Sequence, residues 1–387
     1  MAAVHLPRTI RIGGGVLNEL PQVLAASGLS RPLIVTDAWI AGCGILERVE
    51  GLLAKAGLTS RTFTGVVPDP TVASTEAGCA FLAEGDHDCV IGLGGGSPID
   101  SAKMIAVKRG RLIAVRDLKA PHQEDAPGLP IIAIPTTAGT GSEATRFTII
   151  TDAQTDEKML CAGLAYLPQI AVVDYELTLT KPARLTADTG IDSLVHAVEA
   201  YVSKRANPFS DAMALSAMRL IWANLPLACA DPGNRAAREA LMLGALQGGI
   251  AFSNSSVALV HGMSRPIGAH FHVAHGLSNA MLMPLITAWS APAALPRYAD
   301  CARAMSLSQD GESDQGAVGR LIEALERINA DLQVPSPSAY GISRQRWEEL
   351  VPLMAQQALD SGSPANNPRV PEAAEIEELY RRAYAPT

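Results

Sequence analysis

Short apolar runs that end at glycine, proline or aspartate recur through the first half of the chain and then stop. Thr9-Ile10-Arg11-Ile12 runs into Gly13-Gly14-Gly15, and Pro32 to Asp37, Arg61 to Val66, Cys89 to Leu93, Ile131 to Ile134 and Ile170 to Asp174 follow. Amphipathic stretches such as Thr75 to Glu84 and Pro98 to Val107 lie between them. Short, continuously apolar strands separated by helices belong to a parallel sheet covered on both faces. Arg146 to Thr151 and Lys158 to Cys161 flank the polar turn Asp152 to Glu157 and predict a β-hairpin beside that sheet. After about Thr180 the period becomes helical, over Thr186 to Ser203, Pro208 to Ala223, Arg235 to Phe252, Gly316 to Ala330 and Arg344 to Ala358. The expectation is an α/β N-terminal domain with a Rossmann-like parallel sheet over residues 1–180, and an all-α C-terminal domain over 181–387.

Composition narrows the classes. The 387 residues are 48% hydrophobic and 18% charged, enough to bury a large core and too apolar for disorder. Lys and Arg number 31 against 39 Asp and Glu, a net charge of −8, which argues against nucleic acid as a partner. The six cysteines are scattered without a CxxC pair, so neither a disulfide framework nor a thiolate zinc site is expected, and a reducing cytoplasm fits. Residues 1–14 lack the pattern of a signal peptide, and no uninterrupted apolar run approaches about 18 residues, so no membrane span is expected.

Gly94-Gly95-Gly96-Ser97-Pro98-Ile99-Asp100 follows a strand pattern and opens a helix pattern, with Ser97 expected as N-cap and Pro98 as first helical residue. Glycines admit a ligand close to the backbone, and a helix N-terminus offers amide donors to an anion. This is the physics of a diphosphate site, although neither GxGxxG nor a P-loop is present and a purely structural turn would look the same. A second small-residue loop, Pro135 to Glu143, follows the next strand and suits a cofactor lying along the strand ends. Asp37 ends an earlier strand, where its carboxylate could receive ribose hydroxyls and repel a 2′-phosphate, or could simply cap a helix.

Asp192 and His196 lie four apart and project from one face if the segment is helical. His261 and His275 each sit in an apolar-His-Gly sequence, fourteen positions apart. An Asp/His pair or an apolar-flanked histidine is commonly just a hydrogen-bonded core group. Together, one carboxylate and three imidazoles form a donor set for Fe²⁺ or Zn²⁺ and not for Ca²⁺.

In their combined order, Gly94 to Asp100, Pro135 to Glu143, Gly190-Ile191-Asp192-Ser193-Leu194-Val195-His196-Ala197, and His261-Gly262-Met263 through Pro266-Ile267-Gly268 to His275-Gly276-Leu277 resemble the iron-containing (group III) alcohol dehydrogenases across essentially the whole chain. The resemblance implies a dinucleotide-binding domain, a helical metal-binding domain, an active site in the cleft between them, and assembly as a homodimer or larger. It puts the metal ligands at Asp192, His196, His261 and His275. Gly94, Gly95, Gly96, Ser97 and Asp100 fall in the diphosphate motif, Asp37 on the NAD-selecting position, Thr136, Thr137 and Thr140 in the cofactor loop, and Lys158 near the nicotinamide ribose. The implied activity is NAD-dependent hydride transfer between nicotinamide and a small alcohol or aldehyde, assisted by Fe²⁺ or Zn²⁺.

Two departures stand out. The commoner family pattern carries a second histidine four residues after the third ligand, and this chain has Arg265 there. Arginine cannot shuttle a proton at neutral pH, but it could bind an anionic substrate group or a cofactor phosphate, or join an ordinary ion pair. His270 is the candidate for a replacement proton relay, against the plainer reading of a structural histidine. Ala274 replaces the usual proline before the fourth ligand. The rival readings are glycerol dehydrogenase-like, dehydroquinate synthase-like or maleylacetate reductase-like enzymes on the same scaffold, a metal-dependent hydrolase, and a non-catalytic NAD-binding regulator.

Overall fold

The computed structural model describes residues 3–385. Among the described residues eight strands form, β1 (Thr9–Ile12), β2 (Pro32–Asp37), β3 (Arg61–Val66), β4 (Cys89–Gly94), β5 (Ile131–Pro135), β6 (Phe147–Asp152), β7 (Glu157–Ala162) and β8 (Ile170–Val173). Five helices accompany them, α1 (Leu20–Ala26), α2 (Ala38–Gly42), α3 (Ile45–Lys55), α4 (Val72–Ala83) and α5 (Gly96–Lys108). Nine more follow Pro182: α6 (Ala183–Val202), α7 (Pro208–Ala230), α8 (Arg235–Asn254), α9 (Leu259–Phe271), α10 (His275–Ser290), α11 (Leu295–Ala304), α12 (Asp314–Asp331), α13 (Arg344–Asp360) and α14 (Ala373–Tyr384). Two compact units result, His5–Lys181 and the helices from Pro182 onward.

In the first unit six strands pair in parallel in the order β1-β8-β5-β4-β2-β3. Alternation along each strand supplies two cores. Ile34, Ile91, Leu93, Ile132, Ile134 and Val172 pack with Leu20 and Leu24 of α1 and Val49 and Leu53 of α3. Leu33, Val35, Val90 and Ile131 pack on the other face with Leu82 of α4 and Ile105 of α5. The hairpin β6–β7 forms a separate antiparallel pair. From β2 the chain builds outward to β3, then returns to β4 on the other side and proceeds to β5 and β8. The order therefore reverses between β2 and β4, which places the carboxyl ends of those strands at the crevice where open α/β sheets bind ligands. Asp37 ends β2 and Gly94 ends β4.

The second unit is built from helices and the loops that join them, with no strand among its described residues. From Gly190 to Val202 every residue of α6 is buried, so this helix is enclosed on all sides. Gly276 explains how α10 reaches it. A Cβ there would lie 2.2 Å from the Asp188 carbonyl oxygen, so only glycine allows the approach. By length and composition α7 could cross a membrane. Here its Ala214, Ala217, Met218, Ile221, Leu225 and Ala228 are buried, and it packs mainly on α6 and α8 and also on α11. It runs through Pro226 to Ala230, beyond the expected end at Ala223.

Candidate functional site

In the unit from Pro182, α6 presents Asp192 and His196 one turn apart, α9 presents His261, and α10 begins with His275. Their donor atoms all lie within 4.8 Å of one another. Asp192 Oδ1 is 4.0 Å from His196 Nε2, 3.6 Å from His261 Nε2 and 3.7 Å from His275 Nε2. A closed tetrahedron with ligand bonds near 2.1 Å has edges of about 3.4 Å. The four atoms thus fit one first-row divalent ion in a slightly open cage. Burial alone would push the Asp192 carboxyl up, but the three imidazoles outweigh it and hold that carboxyl well below the usual carboxylate range. Phe252 stacks on His196 with centroids 4.3 Å apart, and His261 stacks on His196 at 4.5 Å.

Two groups that residue spacing did not single out complete the cluster. Glu199, two turns beyond Asp192, accepts from Ala258 N–H at 2.8 Å and Val260 N–H at 2.6 Å, and its Oε2 lies 2.7 Å from His261 Nδ1. A proton on His261 Nδ1 leaves Nε2 as the lone-pair atom facing Asp192, the usual arrangement behind a metal-binding histidine. Asn279, one turn after His275 in α10, points its amide nitrogen at Asp192 Oδ1 (2.6 Å), His261 Nε2 (3.2 Å) and His275 Nε2 (3.3 Å). Its own Oδ1 is buried without a hydrogen-bond partner. Three acceptors converging on a single donor mark a point that calls for positive charge, and the donor set fits a borderline cation.

Arg265 follows His261 by one turn and is only 6% exposed. Its Nη1 donates to Ser363 Oγ at 2.9 Å, and its Nε has no partner. Burial lowers its pKa to about 10, against a smaller opposing pull from Glu199, so it stays charged at neutral pH. His270, the candidate relay, is held by α13. Nine residues past His261 it falls on the opposite side of α9, and its Nε2 meets Gln357 Oε1 of α13 at 2.8 Å.

In the unit before Pro182 the two small-residue loops meet at neighbouring strand ends, Gly94 pairing with Pro135. A Cβ on Gly95 would touch Thr137 at 3.4 Å, and one on Gly96 would meet Thr140 at 2.9 Å. Gly94 has φ 148°, a conformation that favours glycine. The helix starts earlier than expected. Gly95 is the N-cap in place of Ser97, and the extended Gly95 backbone turns directly into α5. The Gly96 and Ser97 amides then lie in the first turn, where helical partners are lacking. Asp37 caps α2, its Oδ1 accepting from Ile40 N–H at 2.8 Å. Thr136 is buried, its N–H bonded to the Gly94 carbonyl at 2.9 Å.

Two further candidate residues are engaged within the protein itself. Both oxygens of Asp100 accept hydrogen bonds, from Ser142 Oγ at 2.6 Å and Ile149 N–H at 2.9 Å. Lys158, on the hairpin, places its ammonium on Asp69 at 2.7 Å, an ion pair that a ribose would have to displace. The group that ties the loops together is Lys103, fully buried in α5. Its ammonium donates to Ser142 Oγ (2.9 Å), Thr145 Oγ1 (3.0 Å), Thr145 O (3.1 Å) and Phe147 O (2.7 Å).

Comparison with known proteins supplies the context. The family description "Iron-containing alcohol dehydrogenase" matches residues 7–175, and "Fe-containing alcohol dehydrogenase family, C-terminal" matches residues 186–384. The chain is 35% identical to the NAD-dependent methanol dehydrogenase of Bacillus methanolicus over 99% of its length and 100% of that protein. It is 34% identical to the lactaldehyde reductase of Escherichia coli K12, over 98% of each. A solved alcohol dehydrogenase from Oenococcus oeni superposes with a TM-score of 0.94 at 30% identity, covering 99% of this chain and 100% of that one.

Proposed function

The chain belongs to the iron-containing alcohol dehydrogenase family, and from that premise we propose that it is an NAD-linked dehydrogenase that interconverts a small alcohol and its aldehyde with a divalent metal on Asp192, His196, His261 and His275. The observation that carries this reading is the convergence of those four donors within 4.8 Å in a buried setting. Bound there, Fe²⁺ or Zn²⁺ supplies Lewis acidity to the reacting oxygen, while NAD supplies the hydride chemistry.

The chain's own groups do the rest. Glu199 fixes the His261 ring with Nε2 toward the other donors. The Gly96 and Ser97 amides at the start of α5 would receive the diphosphate. Asp37 keeps one carboxylate oxygen beyond its cap bond for a ribose hydroxyl, and its charge disfavours a 2′-phosphate, which supports NAD over NADP. Thr137 and Thr140 flank the same loop. A homodimeric or larger assembly in the cytoplasm rests on the family resemblance and on six unpaired cysteines, a pattern that fits a reducing compartment.

The test is NADH oxidation against a panel of small aldehydes, run with chelator, with Fe²⁺ and with Zn²⁺. Metal-dependent oxidation is expected. Asp192→Ala should cost at least about a thousandfold in turnover, from loss of the Lewis acid, and should lower bound metal while NADH binding persists. Turnover that survives both chelation and Asp192→Ala would overturn the reading.

A further inference from the structure

Arg265 is 6% exposed, and among the described residues its only hydrogen bond is to the Ser363 hydroxyl. Its Nε is buried with no partner at all. The one carboxylate that bears on its charge is Glu199. Both oxygens of Glu199 are occupied, by two backbone amides and His261 Nδ1. A guanidinium stripped of water and left with an unused donor is costly unless something anionic arrives to meet it. A structural arginine would show its carboxylate in place.

Position says what arrives. Arg265 lies four residues after His261 in α9, so the two side chains leave the same face of the helix. Gly262 lies against Pro364, where a Cβ would come within 2.8 Å of the ring, and this holds the Ser363 segment close to α9. The Ser363 Oγ accepts from Arg265 and keeps its own proton for a second acceptor. Charge points the same way. Asp192 and Glu199 bring two negative charges, whereas a divalent ion and Arg265 together bring three positive ones.

We propose that Arg265 is the specificity-determining residue of this centre, its guanidinium receiving a carboxylate on the substrate, so that the preferred substrates are short aldehydes bearing an acid group and the corresponding hydroxy acids. The proposal rests on reading the four-donor cluster as a reductase centre. Planar, multidentate pairing with carboxylate is what a guanidinium does better than any other side chain.

The test compares succinic semialdehyde with butanal in NADH oxidation by the metal-loaded full-length enzyme. The wild type is expected to favour succinic semialdehyde at least tenfold in kcat/KM, chiefly through KM. In Arg265→Gln that ratio should fall at least tenfold, and Arg265→Lys should recover part of it. A wild-type ratio near or below one, or a ratio unchanged by Arg265→Gln, overturns the proposal. NADH affinity, read by fluorescence titration, should change less than threefold in Arg265→Gln. A loss of NADH affinity matching the loss in KM would assign the arginine to a cofactor phosphate instead and overturn it. If neither aldehyde is reduced, the dehydrogenase reading fails on its own account. The carboxylate site is then judged by succinate, which should raise the melting temperature of the metal-loaded wild type and not of Arg265→Gln. No shift in the wild type overturns it, and this arm holds even where the variant does not fold.

Discussion

Glu199 and Asn279 show how single side chains prepare a cluster that they do not themselves define. Glu199→Gln can place its oxygen at only one of the two positions: with the oxygen at Oε2 its NH₂ group opposes the Val260 N–H, and with the oxygen at Oε1 the NH₂ opposes the Ala258 N–H and turns toward His261 Nδ1. Either way a buried N–H loses its acceptor, and the carboxylate that holds the His261 ring with Nε2 toward the other donors is gone. The expected outcome is a loss of metal affinity of about 10–100-fold, read by competition with a chromophoric chelator for Zn²⁺. Unchanged affinity would reduce Glu199 to a helix-packing group. The four donors were legible because an i,i+4 Asp/His pair and a repeated His-Gly are patterns that geometry can use. Asn279 was not, since an amide among apolar residues carries no signal of its own until its helix register against His275 is known. For His270 the same point favours the structural reading over the relay: nine helical residues past His261 turn it to the far side, where it meets Gln357.

At the scale of elements, the buried ion group under the cofactor loops has a consequence for pH. Burial raises the Glu143 carboxyl to about 7, with its own backbone hydrogen bond and Lys103 only partly opposing. A carboxyl whose folded value lies above its ordinary 4.5 contributes its full stability below that ordinary value and loses it as pH rises through about 7. Lys103, lowered by burial to about 8, changes its contribution only above that pH, and Asp100 is shifted in the same direction as Glu143. The unit His5–Lys181 should therefore lose stability between pH 4.5 and 7 through these carboxyls. Glu143→Gln should remove up to about 3 kcal/mol of that slope, measured as urea midpoints across the range. Parallel slopes in both proteins would mean that Glu143 stays ionised throughout. The strands and the hairpin were readable here from apolar alternation and turn residues. The two helices that carry His261 and His275 were not, because Pro266 and Pro284 interrupt them and proline reads as a stop. Their burial among other helices tolerates the lost bonds.

For the molecule as a whole, the fold class was visible in the switch of period near Thr180. The strand order was not, because pairing across more than a hundred residues leaves no local trace. The donors come from three helices of one unit, so a bound ion would join them only when folded. An ion present at about a thousand times its dissociation constant adds roughly 4 kcal/mol. For a unit of this size that corresponds to a melting shift of roughly 8–16 °C. Chelator should therefore lower the transition of the helical unit by that order, and Fe²⁺ or Zn²⁺ should restore it, in a calorimetric scan. A transition indifferent to chelator would argue against the site.

Among the described residues β1 pairs only with β8, Thr9 opposite Ile170 and Ile12 opposite Val173. At translation rates of roughly 5–20 residues per second, the first strand leaves the ribosome about 8–30 s before its neighbour exists. For that interval it is an unpaired strand with its backbone groups open, and until β8 arrives it depends on the chaperones that cover nascent chains.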